Sequence, residues 1–131
     1  MIDDFEPWRG FVCCALRSLS DLEIVGEATD GIEGVQKAQA LNPDLVLLDT
    51  RLPCLNGIEA ANRIRVLVPT ARILFVASSS DSVSAEGPLC SEAHGHILKM
   101  DGKDQLLRAV HAVLRGETFV SSQWKPLRVC V

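Results

Sequence analysis

Short apolar runs alternate along the chain with segments of helical periodicity. The apolar runs at residues 22–25, 45–48, 73–77 and 97–98 predict strands, and the middle two are apolar on both faces, as in a buried parallel sheet. Apolar residues at helical spacing predict four helices, over about residues 7–19, 31–41, 58–68 and 103–115. This alternation indicates βα units around a parallel sheet, with residues 97–98 as an edge strand.

The two ends of the chain fit this alternation poorly. A βα fold needs a strand before the first helix, but only Met1 and Ile2 precede an acidic pair, so the first strand is truncated. Residues 78–92 contain a glycine-proline pair and predict only a short or irregular helix. We place one domain at residues 1–117 and a C-terminal tail, without a separate output domain, at residues 118–131.

Composition narrows the class of protein. The chain has 131 residues, of which 47% are hydrophobic and 23% charged, as expected for one globular domain. Its net charge of −4 argues against direct binding of nucleic acid through a basic surface. No apolar stretch approaches the roughly 20 residues that span a bilayer, and the acidic N-terminus does not resemble a signal peptide. We therefore expect a cytoplasmic protein without membrane contact.

Charged residues follow the predicted strands. Asp49 closes the apolar run at residues 45–48, Asp3 and Asp4 follow the truncated first strand, and Lys99 follows residues 97–98. The carboxyl ends of parallel strands are where open α/β sheets bind ligands, so these side chains can converge. Clustered carboxylate oxygens favour a hard cation such as Mg²⁺. An Asp at a strand end is more often a helix cap, and an isolated Lys is usually solvated. We therefore base the prediction of a cation-binding pocket on all these residues together and not on any one of them.

Such a pocket suits the acceptance of a phosphoryl group. A metal ion would screen the carboxylates and leave Asp49 able to attack phosphorus, and Lys99 would pair with the phosphoryl oxygens. A dehalogenase-type phosphatase would have a second Asp two residues after the nucleophile, where Arg51 stands. His94 and His96 alternate on entering a strand and so point to opposite faces; we interpret them as a turn residue and a surface ring, not a metal pair.

Several motifs then match a known family. They are residues 3–9 (DDFEPWR), 25–31 (VGEATDG), 42–49 (NPDLVLLD) with Leu52-Pro53 and Asn56-Gly57, 95–99 (GHILK) and 114–117 (LRGE). With this set, the chain resembles the receiver domain of two-component response regulators, especially receivers that precede a LuxR-type helix-turn-helix module. The resemblance covers residues 1–121. It implies a flavodoxin-like, doubly wound sheet of five parallel strands in the order 2-1-3-4-5.

The resemblance also implies roles for individual residues. Asp49 would be the phosphoacceptor and Lys99 the phosphoryl contact. Asp4 would bind Mg²⁺ directly together with Asp49. Asp3 would bind it through water, and the backbone carbonyl of Arg51 would be a further ligand.

The chain departs from the family at the positions that transmit the signal. The Ser or Thr that ends the fourth strand in the family falls here on Ala77, with Ser78 one residue later. The family's aromatic switch residue falls on His96, a smaller ring that can be charged. Either Ser78 substitutes after a local shift or the hydroxyl switch is absent.

Two hypotheses follow. In the first, a sensor histidine kinase or a phosphotransfer protein phosphorylates Asp49 in a Mg²⁺-dependent phosphorelay, and the product is a conformational state, not a released metabolite, so we expect no enzyme. In the second, the chain is a degenerate receiver that binds proteins or dimerises without phosphorylation. A truncated first strand would expose the edges of two apolar strands, and a homodimer or a swapped element is one way to cover them.

Overall fold

The computed structural model describes residues 1–3, 5–52, 54–77 and 94–120. Four α-helices lie within these ranges: α1 (Glu6–Arg17), α2 (Gly31–Leu41), α3 (Gly57–Leu67) and α4 (Gly102–Leu114). The strands are β1 (Leu45–Asp49), β2 (Arg72–Ala77), β3 (Gly95–Leu98) and β4 (Phe119–Val120), and a 3₁₀ turn, Lys99–Asp101, joins β3 to α4. The fold is therefore α/β, with helices between most of the strands.

The four strands form one parallel sheet in the order β1-β2-β3-β4. Beyond β1, Ile2 makes isolated parallel bridges to Leu48 on one side and to Ala28 on the other. The Ile2 amide donates to Leu47 O at 2.8 Å, and Ile2 O accepts from the Asp49 amide at 3.0 Å. Two residues of extended chain thus stand in line with the sheet, and Asp3 emerges at the same edge as the carboxyl end of β1.

Two apolar layers enclose the sheet. Helices α2 and α3 pack on one face around a buried cluster that includes Ile2, Val35, Leu48, Ile64 and Phe75. Helices α1 and α4 cover the other face, and the buried residues there include Val12, Leu47, Leu74, Ile97 and Val110. Alternate side chains of each strand serve opposite layers, which explains why the central strands are apolar on both faces.

Local signals in the sequence set the helix ends. Asp30 caps α2 by accepting a hydrogen bond from the Glu33 amide at 2.8 Å, and Asn56 caps α3 through the Glu59 amide at 2.9 Å. Helix α2 ends at Asn42, whose φ of 50° lies in the left-handed region that Asn tolerates. Both caps lie at the carboxyl edge of the sheet, so they help to fix the loops around the site.

The prediction of a parallel α/β sheet with four helices is confirmed within the described residues. The prediction of a strand at residues 22–25 was wrong: they carry no strand in the structure, and the pairing near them is an isolated bridge between Ala28 and Ile2. The prediction of an edge strand at residues 97–98 was also wrong, since β4 pairs with β3 and sequence analysis missed it. Residues 78–92 lie outside the described residues. None of the described helices is long and apolar enough to cross a membrane.

Candidate functional site

Asp49 is buried at the carboxyl end of β1, with 3% of its surface exposed. Its Oδ1 accepts a hydrogen bond from the amide of Arg51 at 2.9 Å, which turns the chain around the carboxylate. The next residue, Thr50, is held to the neighbouring strand because its amide donates to Val76 O at 3.2 Å. The backbone therefore fixes the position of the carboxylate from both sides.

Gly57 allows the loop after Asp49 to fold back onto the strand. A Cβ at this position would lie 2.2 Å from the carbonyl oxygen of Asp49 and 2.8 Å from the Cα of Thr50, so any side chain would displace the backbone. The Gly57 amide instead donates to Thr50 O at 3.2 Å. The Asn56-Gly57 motif thus supplies a cap for α3 and a close approach beside Asp49.

Lys99 joins the two buried carboxylates that the structure describes. Its Nζ lies 2.8 Å from Oδ2 of Asp3 and 3.2 Å from Oδ2 of Asp49. Asp3 is fully buried, and its Oδ1 accepts a hydrogen bond from the Phe5 amide at 2.8 Å. The structure therefore brings Asp3, Asp49 and Lys99 together, whereas Asp4, which was also expected to converge with Asp49 and Lys99, lies outside the described residues.

Aromatic rings and a second cation surround this ion cluster. The Nζ of Lys99 lies 5.8 Å from the ring centroid of Phe5 and 5.7 Å from that of Trp8, within reach of a cation–π interaction. Arg9 donates through Nη1 to the carbonyl oxygen of Asp3 at 2.8 Å and pairs with Glu27 at 3.5 Å. Sequence analysis missed Arg9, although its place in the first turns of α1, directly after the acidic pair, could have indicated it.

The electrostatics of the site are set by burial. The pKa of Asp49 is raised to about 6: burial raises it most, the charge of Asp3 also raises it, and the hydrogen bond from the Arg51 amide and the contact with Lys99 lower it. Burial alone would lower the pKa of Lys99. The hydrogen bond to Asp3 and the charges of Asp49 and Asp3 outweigh it, so this pKa lies above 10.5. Lys99 therefore remains a cation, and Asp49 is ionised at pH 7.5.

The donor set fits a hard divalent cation. Asp3 and Asp49 place carboxylates on either side of Lys99 Nζ, and Mg²⁺ commonly takes one or two carboxylates and keeps several waters. Within the described ranges there is no cluster of three or more His, Cys, Asp or Glu residues that could hold a metal ion. Asp4, the predicted direct ligand, lies outside those ranges. The predicted roles of Asp4 and of the Arg51 carbonyl stay predictions.

The predicted switch positions differ in their surroundings. Ala77 ends β2, is fully buried and packs against Leu98. Ser78 lies outside the described residues. His96 is 7% exposed and its ring lies 5.8 Å from that of Phe75, so the prediction of a surface ring was wrong. The error arose because residues 95–98 are an inner strand of the sheet, where both faces are covered.

His94 makes a contact that sequence analysis did not foresee. Its ring Nδ1 accepts a hydrogen bond from the Ile73 amide at 3.0 Å, and its own amide donates to Ile73 O at 2.8 Å. Burial and the nearby charges of Arg72 and Arg65 lower the pKa of His94, which keeps the ring in the neutral form that can accept this bond. His94 thus fixes the start of β3 against β2.

Comparison with known proteins identifies the family. Residues 1–111 match the sequence profile of the response regulator receiver domain. The chain is 32% identical over 127 residues to the nitrate/nitrite response regulator protein NarL of Escherichia coli (strain K12), which covers 97% of this chain and 59% of that protein. The chain therefore spans little more than half the length of this relative.

Solved structures give the same fold. A LuxR-family two-component response regulator from Aurantimonas sp. SI85-9A1 superposes with a TM-score of 0.83 at 28% identity, over 92% of this chain and 86% of that one. The response regulator domain of Thermotoga maritima CheB superposes with a TM-score of 0.71 at 28% identity, over 89% and 92% of the two chains. The flavodoxin-like α/β fold predicted from sequence is confirmed.

Proposed function

Because the chain belongs to the response regulator receiver family of two-component systems, we propose that it accepts a phosphoryl group on Asp49 from a sensor histidine kinase or a phosphotransfer protein. The observation that carries this proposal is the buried carboxylate of Asp49 at the carboxyl edge of the sheet, 3.2 Å from the Nζ of Lys99. A cation at this distance can neutralise the charge that a phosphoryl group brings to the carboxylate.

The proposed step is a displacement at phosphorus. An oxygen of Asp49 forms the new P–O bond, the P–N bond of the phosphohistidine donor breaks, and the released imidazole nitrogen takes a proton from solvent. Lys99 orients the phosphoryl oxygens as a point charge, and the Arg51 amide holds Oδ1 of Asp49 at 2.9 Å, so that Oδ2 is the oxygen nearer Lys99. The chain is the phosphorylated product of this step and releases no metabolite, so we propose that it is not an enzyme.

Mg²⁺ is part of the proposal. Asp3, Asp4 and Asp49, with the carbonyl of Arg51, would hold the ion, which supplies charge neutralisation for the incoming phosphoryl group. The neighbouring residues position these carboxylates: the Phe5 amide donates a hydrogen bond to one oxygen of Asp3, and Lys99 forms ion pairs with both Asp3 and Asp49.

The experiment that tests phosphorylation is intact mass spectrometry. The full chain is incubated with Mg²⁺ and acetyl phosphate beside the Asp49→Asn variant and the matched control Asp44→Asn, an exposed carboxylate at the opposite end of β1. We expect one added phosphoryl group in the wild type and in Asp44→Asn, and none in Asp49→Asn. An unmodified wild type, under conditions that modify a known receiver, would refute the proposal.

Metal binding has a separate readout in Trp8. Its ring centroid lies 5.7 Å from the Nζ of Lys99, so its fluorescence should respond when a cation enters the site. The titration uses a Trp124→Phe background, which leaves Trp8 as the single tryptophan of the chain. We expect a saturable change with Mg²⁺ that disappears in Asp3→Asn. A flat titration in the parent background would remove Mg²⁺ from the proposal while leaving the family assignment intact.

Three further expectations belong to the same proposal. The strand order 2-1-3-4-5 that the resemblance implies stays part of the proposal: the bridges of Ile2 to Ala28 and Leu48 support it at one level of the sheet, and β4 is an additional strand beside β3. The chain works in the cytoplasm. It contacts its kinase or phosphotransfer protein directly, with neither nucleic acid nor membrane contacted by this domain.

A second candidate function rests on Ala77. This buried methyl group stands where the family has the hydroxyl of a Ser or Thr. After phosphorylation, the chain would therefore lack the hydroxyl that moves toward the phosphoryl oxygens in the family. We propose as the alternative a degenerate receiver that binds proteins or dimerises independently of phosphorylation. Binding or self-association that is equal in wild type and Asp49→Asn, with no phosphoryl group added to the wild type, would favour this alternative.

A further inference from the structure

Arg9 connects the first turns of α1 to the backbone of Asp3. Its Nη1 donates to Asp3 O at 2.8 Å, and its side chain is only 15% exposed. Helical bonding cannot satisfy this carbonyl, because the residue four positions later is Pro7, which has no backbone N–H. Within the described residues, the donor to the Asp3 carbonyl is the guanidinium of Arg9. The sequence therefore leaves this backbone acceptor to a side chain.

The carbonyl that Arg9 binds belongs to the peptide group directly after Asp3. The Asp3 carboxylate bonds across this same peptide group, because its Oδ1 accepts from the Phe5 amide at 2.8 Å. A peptide group moves as a rigid plane, so a rotation of the plane would carry the chain toward Phe5 away from Oδ1. By holding the carbonyl, Arg9 stabilises this turn. With Oδ1 held in the turn, the other carboxylate oxygen, Oδ2, lies 2.8 Å from the Nζ of Lys99.

Glu27 orients the guanidinium of Arg9. Its Oε1 lies 3.5 Å from Nε of Arg9, and the next residue, Ala28, accepts a hydrogen bond from the Asp3 amide at 3.0 Å. Both backbone polar groups of Asp3 are therefore bonded to residues 27–28, the amide directly and the carbonyl through Arg9. The guanidinium is planar and carries its donors in a fixed geometry, so a carboxylate that holds Nε also sets the direction of Nη1.

These contacts bear on the affinity of the site for a metal ion. Mg²⁺ demands near-octahedral geometry at short distances, so its affinity depends on how closely each carboxylate oxygen is placed. We propose that Arg9, oriented by Glu27, is a positioning residue for Mg²⁺: it fixes the turn that presents the Asp3 carboxylate and so strengthens binding of the ion. The inference rests on the proposed Mg²⁺ site. Arg9 supplies no ligand atom, because a guanidinium carries only donors.

The charge of Arg9 gives the inference a definite sign. A guanidinium near the site repels an incoming cation, so an electrostatic effect alone would make Mg²⁺ bind more tightly once the charge is removed. A positioning effect acts in the opposite direction, because loss of the hydrogen bond frees the turn and weakens binding. The Glu27 carboxylate, 3.5 Å from Nε, offsets the repulsion, so we expect the positioning effect to be the larger of the two.

The first test is a Mg²⁺ titration of the full chain, followed by Trp8 fluorescence in the Trp124→Phe background. We expect Arg9→Met, which removes the charge and the donors, to raise the dissociation constant for Mg²⁺ about tenfold, the range for one lost hydrogen bond to a charged group. Arg9→Lys should give an intermediate value, because it keeps the charge without the planar fork. The matched control is Arg17→Met, an exposed arginine in the last turn of α1, which should bind Mg²⁺ as the parent does.

The second test uses Glu27, whose side chain is 45% exposed, and it remains available if Arg9→Met fails to fold. Glu27→Gln should raise the dissociation constant about threefold, since an exposed ion pair is weaker than a hydrogen bond to a charged group. The same change should have no effect in the Arg9→Met background, because Glu27 acts through Arg9. Equal effects in both backgrounds would show that Glu27 acts on the ion by its own charge, and would overturn its part in the proposal.

The parent titration separates this inference from the proposed site. Tighter or unchanged binding in Arg9→Met, beside a saturable titration of the parent, would overturn the positioning role and leave the Mg²⁺ site in place. A flat titration of the parent would overturn both. Phosphorylation of Asp49 is measured separately by intact mass, so a failure of the inference and a failure of the proposed function give different results.

Discussion

The carboxyl and amino edges of the sheet differ in how closely their residues contact one another. At the carboxyl edge, Asp3, Asp49 and Lys99 form a closed set in which the cation lies 2.8 Å and 3.2 Å from its two partners. At the amino edge, a strand position beside Leu45 opens into a groove of about 800 Å³. Backbone hydrogen bonds around Ile2 place both carboxylates: the Asp49 amide donates to Ile2 O at 3.0 Å, and the Asp3 amide donates to Ala28 O at 3.0 Å. The contacts among Asp3, Asp49 and Lys99 therefore form although the described pairing of the first strand is limited to the bridges of Ile2.

Removing Lys99 should have the largest effect at the carboxyl edge. We expect Lys99→Ala to lower the rate of phosphorylation by acetyl phosphate about a hundredfold, the usual range for losing one preorganised charge partner. The variant also leaves two buried carboxylates facing each other without the cation that lies between them. The rate is measured by intact mass against time.

Lys103→Ala is the matched control, since Lys103 is an exposed lysine on α4. It should phosphorylate at the wild-type rate. Lys99→Arg should recover part of the loss, because it keeps the charge with a different shape. Equal rates for Lys99→Ala and Lys103→Ala would show that Lys99 does not contact the phosphoryl group.

The sequence predicts the residues at the carboxyl edge of the sheet better than the structure at its amino edge. Asp49 and Lys99 can be placed from the strands that precede them, since β1 and β3 are apolar runs that end at charged residues. The surroundings of His96 could not be predicted, because whether a strand lies inside or at the edge of a sheet depends on β4, only two residues long. Residues 22–25 have strand-like side chains but are coil in the structure, because strand structure depends on pairing with a neighbouring strand and the bridge in this region joins Ala28, not residues 22–25, to Ile2.

Leu48 tests the packed half of β1. It is fully buried against Ile2 and the α2–α3 layer, so Leu48→Ala should lower the free energy of unfolding by about 3–4 kcal/mol through lost burial and the cavity left behind. Urea denaturation followed by circular dichroism measures the change. A loss below about 1 kcal/mol would show that the sheet is loosely packed at this level as well.

The burial of His96 on β3 makes the free energy of unfolding depend on pH. Burial lowers its pKa to about 4 from 6.5, so the unfolded chain binds a proton at a higher pH than the folded chain does. The contribution to stability is intact above pH 6.5 and is lost as the pH falls toward 4, by on the order of 3 kcal/mol at 1.4 kcal/mol per pKa unit. Urea denaturation between pH 7 and pH 4 measures this slope. The slope should flatten in His96→Phe, and an unchanged slope in that variant would assign it to other groups.

Leu45 tests the open half of the same strand and should show the smallest effect. It is partly buried beside the groove, so Leu45→Ala should lower the free energy of unfolding by less than about 1 kcal/mol, measured by the same urea denaturation as Leu48→Ala. A loss as large as that of Leu48→Ala would show that Leu45 is packed as tightly as Leu48. Leu45 and Leu48 lie three positions apart on β1, and the two variants thus compare a partly buried position with a fully buried one on the same strand.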